Sequence, residues 1–327
     1  MIPNYSFGKI IALLPIIQAV MCATKMSVAP DCKDFFADRI ETNLTKVTWV
    51  HAVNSKEKLH EALATDKAMM LEADVVLGTL NDPSGGNDTE NIPIMAHPPE
   101  VTSDLSLEEF LESVLADGKR GIKLDFKSIE AFKGSQAILE KHRANLSFPV
   151  WLNADILVGP VEANPTDPLP VEPNAFIAGA ATSLPESTLS IGWTTRYGSK
   201  FNITEGEYTN EQIRQMVEVI ARSETKQSIT YPVRAGLAAG NVELFKDLLE
   251  DTSAHGATLT VWSSPDDTVD VAALSKFIKD IGVDKVYVDV PDDILSKLNI
   301  SGATSYTTSS IVLFASLVMS FAITKLI

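Results

Sequence analysis

The sequence predicts a single-domain α/β fold, a TIM-type (β/α)8 barrel of eight parallel strands. Three observations lead there. Short runs rich in β-branched and aromatic residues begin near Val47, Met69, Gly121, Phe148, Leu189, Ile229, Thr258 and Lys285. Helically spaced segments lie between many of them, and such alternation builds parallel βαβ units. No glycine-rich phosphate loop is present, which favours a closed barrel over a doubly wound sheet.

From the N-terminus, Lys9 precedes the apolar run Ile10 to Val20 and small residues around Cys22-Ala23. Residues 1–23 therefore read as a secretory signal peptide, since a spanning helix needs roughly 20 apolar residues; a signal anchor is the alternative. Residues 40–298 read as the barrel. Its helices are expected at Ser55 to Ala64, Leu105 to Leu115, Ser128 to His142, Thr209 to Arg222, Val242 to Glu250 and Val271 to Ile281. Ser55, Ser106, Ser128 and Asn241 are fitting N-caps.

Two connections break the rhythm. Ile92 to Ala96, after the turn-forming run Asn81 to Gly86, predicts a hairpin excursion over the barrel mouth, and the proline-rich stretch Gly159 to Pro173 predicts a surface loop. Residues 299–327 read as an anchor segment. Ser301-Gly302-Ala303, a polar spacer to Ser310 and the apolar tail Ile311 to Ile327 match the pattern for a glycosylphosphatidylinositol anchor. A single C-terminal transmembrane helix stopped by Lys325 is the alternative. Without these ends about 275 residues remain, near the roughly 250 of such a barrel.

Five Asn-x-Ser/Thr sequons, at Asn43, Asn87, Asn145, Asn202 and Asn299, fit passage through the secretory pathway to the extracellular face of the plasma membrane. With Cys22 leaving in the leader, Cys32 is left unpaired or bridges to another chain. A net charge of −16 argues against nucleic-acid binding and against adsorption to anionic lipid.

The chemistry concentrates in four short segments. His51 ends the first strand in Val50-His51-Ala52-Val53-Asn54. Glu72 and Asp74 share one face of the second in Leu71-Glu72-Ala73-Asp74-Val75. His97 ends the excursion in Ala96-His97-Pro98, and Asp125 lies in Lys123-Leu124-Asp125-Phe126-Lys127. Charged groups at the carboxyl ends of buried strands are costly unless they face a site, and in a barrel that end carries the chemistry. The carboxylates suit a hard divalent cation, Mg²⁺ or Ca²⁺. Two histidines beside them suit acid and base roles in cleaving a phosphodiester.

The same segments resemble glycerophosphodiester phosphodiesterase and spider sphingomyelinase D-type barrels. His51-Ala52-Val53-Asn54, Leu71-Glu72-Ala73-Asp74-Val75 and Asp125-Phe126-Lys127 carry the toxin-like elements. A closer resemblance, over nearly the whole folded part, is to the menorin family, extracellular and intracellular relatives of these barrels. It rests on Pro93-Ile94-Met95-Ala96-His97-Pro98-Pro99, Gly121 to Lys127, Trp151 to Leu157, Leu189 to Thr195, Tyr231-Pro232-Val233-Arg234 and Thr260-Val261-Trp262-Ser263.

The resemblance implies a PLC-like phosphodiesterase-type barrel in an extracellular setting. Glu72, Asp74 and Asp125 would hold the metal, with His51 as nucleophile or base and His97 as acid. Glycerophosphodiesterases have Arg after the first His and Asp after the second, where this chain has Ala52 and Pro98. Candidates for the missing substrate contacts are Lys123, Lys127, Arg196 and Arg234, with Asn153, Trp193 and Trp262 at the mouth; Trp151 is a further candidate there. Lys123 could instead neutralise the carboxylates it shares a face with.

Two functions are compatible with this reading. One is a surface-anchored enzyme cleaving phosphodiester lipids or glycerophosphodiesters with a divalent metal. The other is a non-enzymatic cue whose barrel binds cell-surface adhesion proteins, as relatives do in neuronal patterning.

Overall fold

The computed structural model describes residues 27–81, 90–161 and 169–301. The segment read as a leader with Cys22, the sequon at Asn87, most of the excursion's turn and the residues from 302 onward lie outside the described residues, as does the middle of the loop expected at 159–173. Among the described residues no helix is long and apolar enough to cross a membrane.

Among the described residues ten strands form: β1 Trp49–Val50, β2 Met70–Leu80, β3 Ile92–Met95, β4 Thr102–Ser103, β5 Gly121–Phe126, β6 Val150–Val158, β7 Thr188–Thr194, β8 Ile229–Arg234, β9 Thr258–Trp262 and β10 Val286–Asp289. Eight of them pair in parallel in the order β1-β2-β5-β6-β7-β8-β9-β10. The barrel is nearly closed: among the described residues, no strand pairing joins β10 to β1. β3 turns back antiparallel on the far half of β2, from Val75↔Met95 to Gly78↔Ile92, and β4 adds two residues beside it. This is the excursion the sequence predicts.

The helices are α1 Cys32–Phe35, α2 Ala37–Ile40, α3 Lys56–Leu63, α4 Leu107–Asp117, α5 Ile129–His142, α6 Pro173–Ser183, α7 Asn210–Ser223, α8 Ala235–Ala238, α9 Val242–Asp251, α10 Val271–Ile281 and α11 Asp292–Leu295. Ser55, Ser106, Ser128 and Asn241 cap α3, α4, α5 and α9, each accepting a backbone N–H of the first turn. These bonds satisfy donors that a helix start leaves without partners.

Side chains alternate across the barrel wall, as a strand's period of two requires. Leu71, Ala73, Val75, Ile122, Leu124, Leu152, Ala154, Leu189, Ile191, Val233, Val261 and Val288 face the helices in one continuous apolar core. The residues between them face inward. They run from Met70, Trp151 and Tyr287 at the amino-terminal end, through the buried hydroxyls of Ser190, Thr230 and Thr260, to charged groups at the carboxyl end. The floor is aromatic. Trp151 packs edge-on against both Trp49 and Tyr287 at 5.3 and 4.8 Å between ring centroids, and α1 and α2 close this end with Cys32, Phe36 and Ile40.

Cys32 is fully buried in that floor. Burial pushes its thiol well above the usual range. Among the described residues it has no disulfide partner. Below the open seam the backbone of Leu44, in the 3-10 turn Leu44–Lys46, donates to Val283 O at 2.8 Å.

Candidate functional site

The inward polar residues meet at the carboxyl end of the barrel. Strand register explains how. Glu72 pairs with Lys123, Asp74 with Asp125, and Asp125 with Asn153 on the next strand. Glu72, Asp74 and Asp125 can each turn one oxygen to within 4.8 Å of the others. Carboxylate oxygens at that spacing are the donor set of a hard divalent cation, so this acidic cluster can hold a metal.

The turn after β1 is built around the same carboxylates. Ala52 takes a left-handed backbone, φ 50°, and its N–H donates to Glu72 Oε2 at 2.9 Å. Asn54 pairs twice with Asp74: its Nδ2 donates to Oδ2 at 2.8 Å, and its Oδ1 accepts the Asp74 N–H at 2.9 Å. The motif's Asn thus fixes the rotamer of an acidic residue.

His51 stands half-exposed between two anions. Its Nε2 lies 2.5 Å from Asp289 Oδ1 and its Nδ1 lies 3.6 Å from Glu72 Oε2. Burial opposes the charged ring, but the contacts with Asp289 and Glu72 outweigh it and push its pKa up to about 10. Glu72 moves the opposite way. Burial would raise it, yet His51, Lys123 and Lys127 hold it below the ordinary carboxylate range.

Two lysines neutralise the acids from within. Lys123 is buried inside the barrel, and although burial disfavours its charge, Glu72, Asp289 and Asp125 keep it protonated. Lys127 reaches back so that Nζ lies 2.7 Å from Asp74 Oδ1 and 2.5 Å from Asp125 Oδ2. Those two carboxylates raise its pKa against the cost of burial. Asn153 completes the layer, donating to Asp125 Oδ1 at 2.7 Å and accepting from Ser190 Oγ at 2.6 Å. Asp74 is raised by burial and by its acidic neighbours, with Lys127 opposing.

The remaining candidates divide. Arg234 ends β8 in a bidentate pair with Asp267, Nε to Oδ2 at 2.8 Å and Nη2 to Oδ1 at 2.6 Å. It also donates to Thr195 Oγ1 and Tyr197 O, and its guanidinium lies 4.8 Å from the Trp262 ring centroid. Trp262 is therefore at the mouth, with Arg234 over one face. Arg196 lies over Phe201, 5.1 Å from its centroid, in the loop after β7.

Two tryptophans are not where the sequence reading puts them. Trp193 falls on the outward parity of β7, between inward Gly192 and Thr194, and packs against Tyr208 and Tyr231 in the helix-facing core. Trp151 is a floor residue. His97 is exposed, with Nδ1 2.7 Å from Pro98 O. Among the described residues no hydrogen bond or ion pair joins it to His51 or to the carboxylates. It follows Ala96, whose N–H donates to Asp74 O at 3.1 Å.

Asp289, Asn54 and Asp155 were not among the candidates. Asp289 is the last residue of its strand, as Arg234 and Trp262 are of theirs, and Asp155 repeats the inward parity of Asn153 two residues on. Strand-end position and parity are the signals that find them. Asp155 is partly buried, and its carboxyl reaches the space beside Gly192, where an added Cβ would sit 3.1 Å from Oδ1. Burial first, then the charge of Asp125, pushes it up to about 7 against the opposing Lys127, Lys123 and Arg234.

Fold and site together define an α/β barrel with an acidic, lysine-neutralised pocket at its carboxyl-terminal mouth. Residues 43–295 match the Menorin N-terminal domain. The chain is 36% identical over 245 residues to Protein FAM151B of Homo sapiens, across 75% of this chain and 82% of that one. The chain belongs to the menorin family. Among solved structures it is similar to a glycerophosphodiester phosphodiesterase from Parabacteroides distasonis, with a TM-score of 0.44 and 14% identity over 78% of this chain and 97% of that one. A phosphodiesterase from Oleispira antarctica, solved with the product sn-glycerol-3-phosphate, gives 0.43 and 14% over 76% and 95%.

Proposed function

We propose that the chain is a metal-assisted phosphodiesterase displayed at the cell surface, acting on phosphodiester lipids or glycerophosphodiesters. One observation carries the reading: His51 stands beside Glu72, one of three carboxylates with Asp74 and Asp125 whose oxygens can converge on one cation, while Lys123 and Lys127 stand against them. A bound Mg²⁺ or Ca²⁺ would polarise a phosphoryl oxygen. The lysines place positive charge where a phosphate would dock.

His51 holds its proton while Glu72 and Asp289 both face it, and in that state it is a charged donor to a phosphate oxygen. Drawing Glu72 toward a cation removes one of the two anions that hold the proton, which moves the ring toward a base.

The secretory leader, the C-terminal anchor, and glycans at Asn43, Asn87, Asn145, Asn202 and Asn299 belong to the same proposal. Asn145, Asn202 and Asn299 are exposed, as glycosylation requires.

A second reading is a non-enzymatic recognition protein that engages adhesion partners. Lys127 favours it, because an ammonium that bonds both Asp74 and Asp125 satisfies them without a ligand.

The test is turnover. Purified protein is incubated with lysophospholipids and glycerophosphodiesters plus Mg²⁺ or Ca²⁺, beside His51→Ala and Asp125→Ala. Hydrolysis lost in both variants supports the enzyme; no hydrolysis and no cation binding by the wild type overturns it. Release from cells by a phosphatidylinositol-specific phospholipase tests the lipid anchor, and retention favours a transmembrane tail.

A further inference from the structure

His97 does not supply the acid of the proposed reaction, since it is exposed and, among the described residues, its ring holds only the carbonyl of its neighbour. A different carboxyl is placed for the task. Strand order puts β2 and β5, which carry Glu72, Asp74 and Asp125, between β1 on one side and β6 on the other. His51 directly follows β1, and Asp155 stands on β6.

Asp155 occupies the inward position one pleat above Asn153, and Asn153 itself pairs with Asp125 and bonds it. A group held on the carboxylates would therefore have His51 at one flank and Asp155 at the other. Displacement at phosphorus needs this disposition, because the attacking and leaving oxygens lie in line on opposite sides.

Asp155 fits at this position because its neighbour on β7 carries no side chain. Its register partner is Gly192, and a Cβ there would meet Pro232 Cγ at 2.8 Å as well as Asp155 Oδ1. No hydrogen bond or ion pair holds the Asp155 carboxyl among the described residues. Arg234 is nearby on β8, but Asp267 takes its fork. The groups that face Asp155 from the neighbouring elements are Asp125, Lys123, Lys127, Arg234 and Tyr208. Their balance leaves it able to carry a proton near neutrality, the condition for a general acid.

We propose that Asp155 is the catalytic acid that protonates the leaving oxygen, a reading that rests on the phosphodiesterase function proposed above. Water attacks phosphorus and the bond from phosphorus to the leaving alcohol oxygen breaks. Its electron pair stays on that oxygen, which takes the Asp155 proton. Of the two protons brought by water, one restores the Asp155 carboxyl and the other stays on the phosphomonoester.

The experiment compares two leaving groups on wild type and Asp155→Asn in Mg²⁺ buffer. Bis(p-nitrophenyl) phosphate has a leaving group that departs without protonation, whereas glycerophosphocholine, losing an alkoxide, does not. A general acid contributes about 10²–10⁴-fold. The expected result is a loss of roughly 10²-fold or more on glycerophosphocholine with p-nitrophenyl release within about threefold of wild type, a smaller change than loss of any such contribution.

Equal losses on both substrates overturn the proposal, because a structural or binding role does not discriminate leaving groups, and unchanged rates on both overturn it too. A wild type that cleaves neither substrate overturns the underlying phosphodiesterase reading and this assignment with it. Thermal melting of Asp155→Asn confirms that the comparison is made on folded protein.

Discussion

His51 and Asp289 span the gap that the backbone leaves in this barrel. The ring nitrogen of one lies 2.5 Å from the carboxylate of the other, across a seam where β10 and β1 share no strand pairing among the described residues. A catalytic candidate is thus also a closing contact, so removing Asp289 should change both chemistry and stability.

In Asp289→Asn the His51 pKa should fall from about 10 toward its ordinary 6.5, read by NMR titration of the ring. A ring whose folded pKa exceeds its unfolded value stabilises the fold fully below pH 6.5, and that stabilisation fades as pH rises toward 10. The variant should therefore lose about 1–3 kcal/mol at pH 6, and less at pH 9. Because the ring is half-exposed, solvent screening keeps the value toward the low end.

Lys127 and a divalent cation compete for the same oxygens, those of Asp74 and Asp125. Lys127→Met keeps much of the side-chain volume and removes the charge. Mg²⁺ or Ca²⁺ affinity should rise about tenfold, or roughly 1.4 kcal/mol, measured by calorimetry. The cation-free variant should melt lower, since the two carboxylates then repel without relief. Asp125→Asn should lower the affinity instead, and equal affinities in all three proteins would place the cation elsewhere.

Arg234 serves as a tie between loops. It bonds Asp267 after β9 and both Thr195 and Tyr197 after β7. Lys cannot reproduce the planar fork. Arg234→Lys should cost about 2–3 kcal/mol, a fall in Tm of roughly 5–10 °C. Arg196→Ala, which removes only a contact with Phe201, should fall by about 2 °C or less. Similar losses in the two variants would argue against the tie.

The raised pKa of Asp155 predicts a pH dependence of the same sense as that of His51, in a more acidic window. Its folded value of about 7 exceeds that of an unfolded Asp near 3.8, so the folded state binds more protons between them and stability falls as pH rises through that window. Asp155→Asn removes the titration. Its Tm should exceed the wild-type value by about 2–5 °C at pH 8, and the gap should narrow toward pH 5. A gap that widens toward acid would contradict the assignment.

Strand starts are readable in this chain because outward residues such as Leu71, Leu124, Leu152 and Ile191 are apolar, while turns and N-caps mark the joints. Two features blur the rest. α6 reads Pro-Asn-Ala-Phe-Ile-Ala-Gly-Ala-Ala-Thr-Ser, too uniformly small and apolar to show a helical stripe, and the short α1 and α2 carry no long period at all.

The site is legible where an acid interrupts an apolar run, as at Glu72, Asp74 and Asp125. It is illegible where the signal is parity. Trp193 is assigned to the mouth from its position near a strand end, yet Ser190 and Gly192 set an inward phase that Trp193 does not share. The same phase, carried two residues past Asn153, picks out Asp155. Asn54 is hidden differently, since only the fold reveals that the residue three after His51 binds Asp74 with both ends of its amide.

The aromatic floor gives this barrel an optical readout of its own. Trp49 sits on the short first strand and Trp151 on β6, with ring centroids 5.3 Å apart, close enough for their excited states to mix. Any shift of β1, the strand that leads directly into His51, changes that spacing. Near-ultraviolet circular dichroism and tryptophan emission therefore follow the seam directly, without a label and without a known substrate.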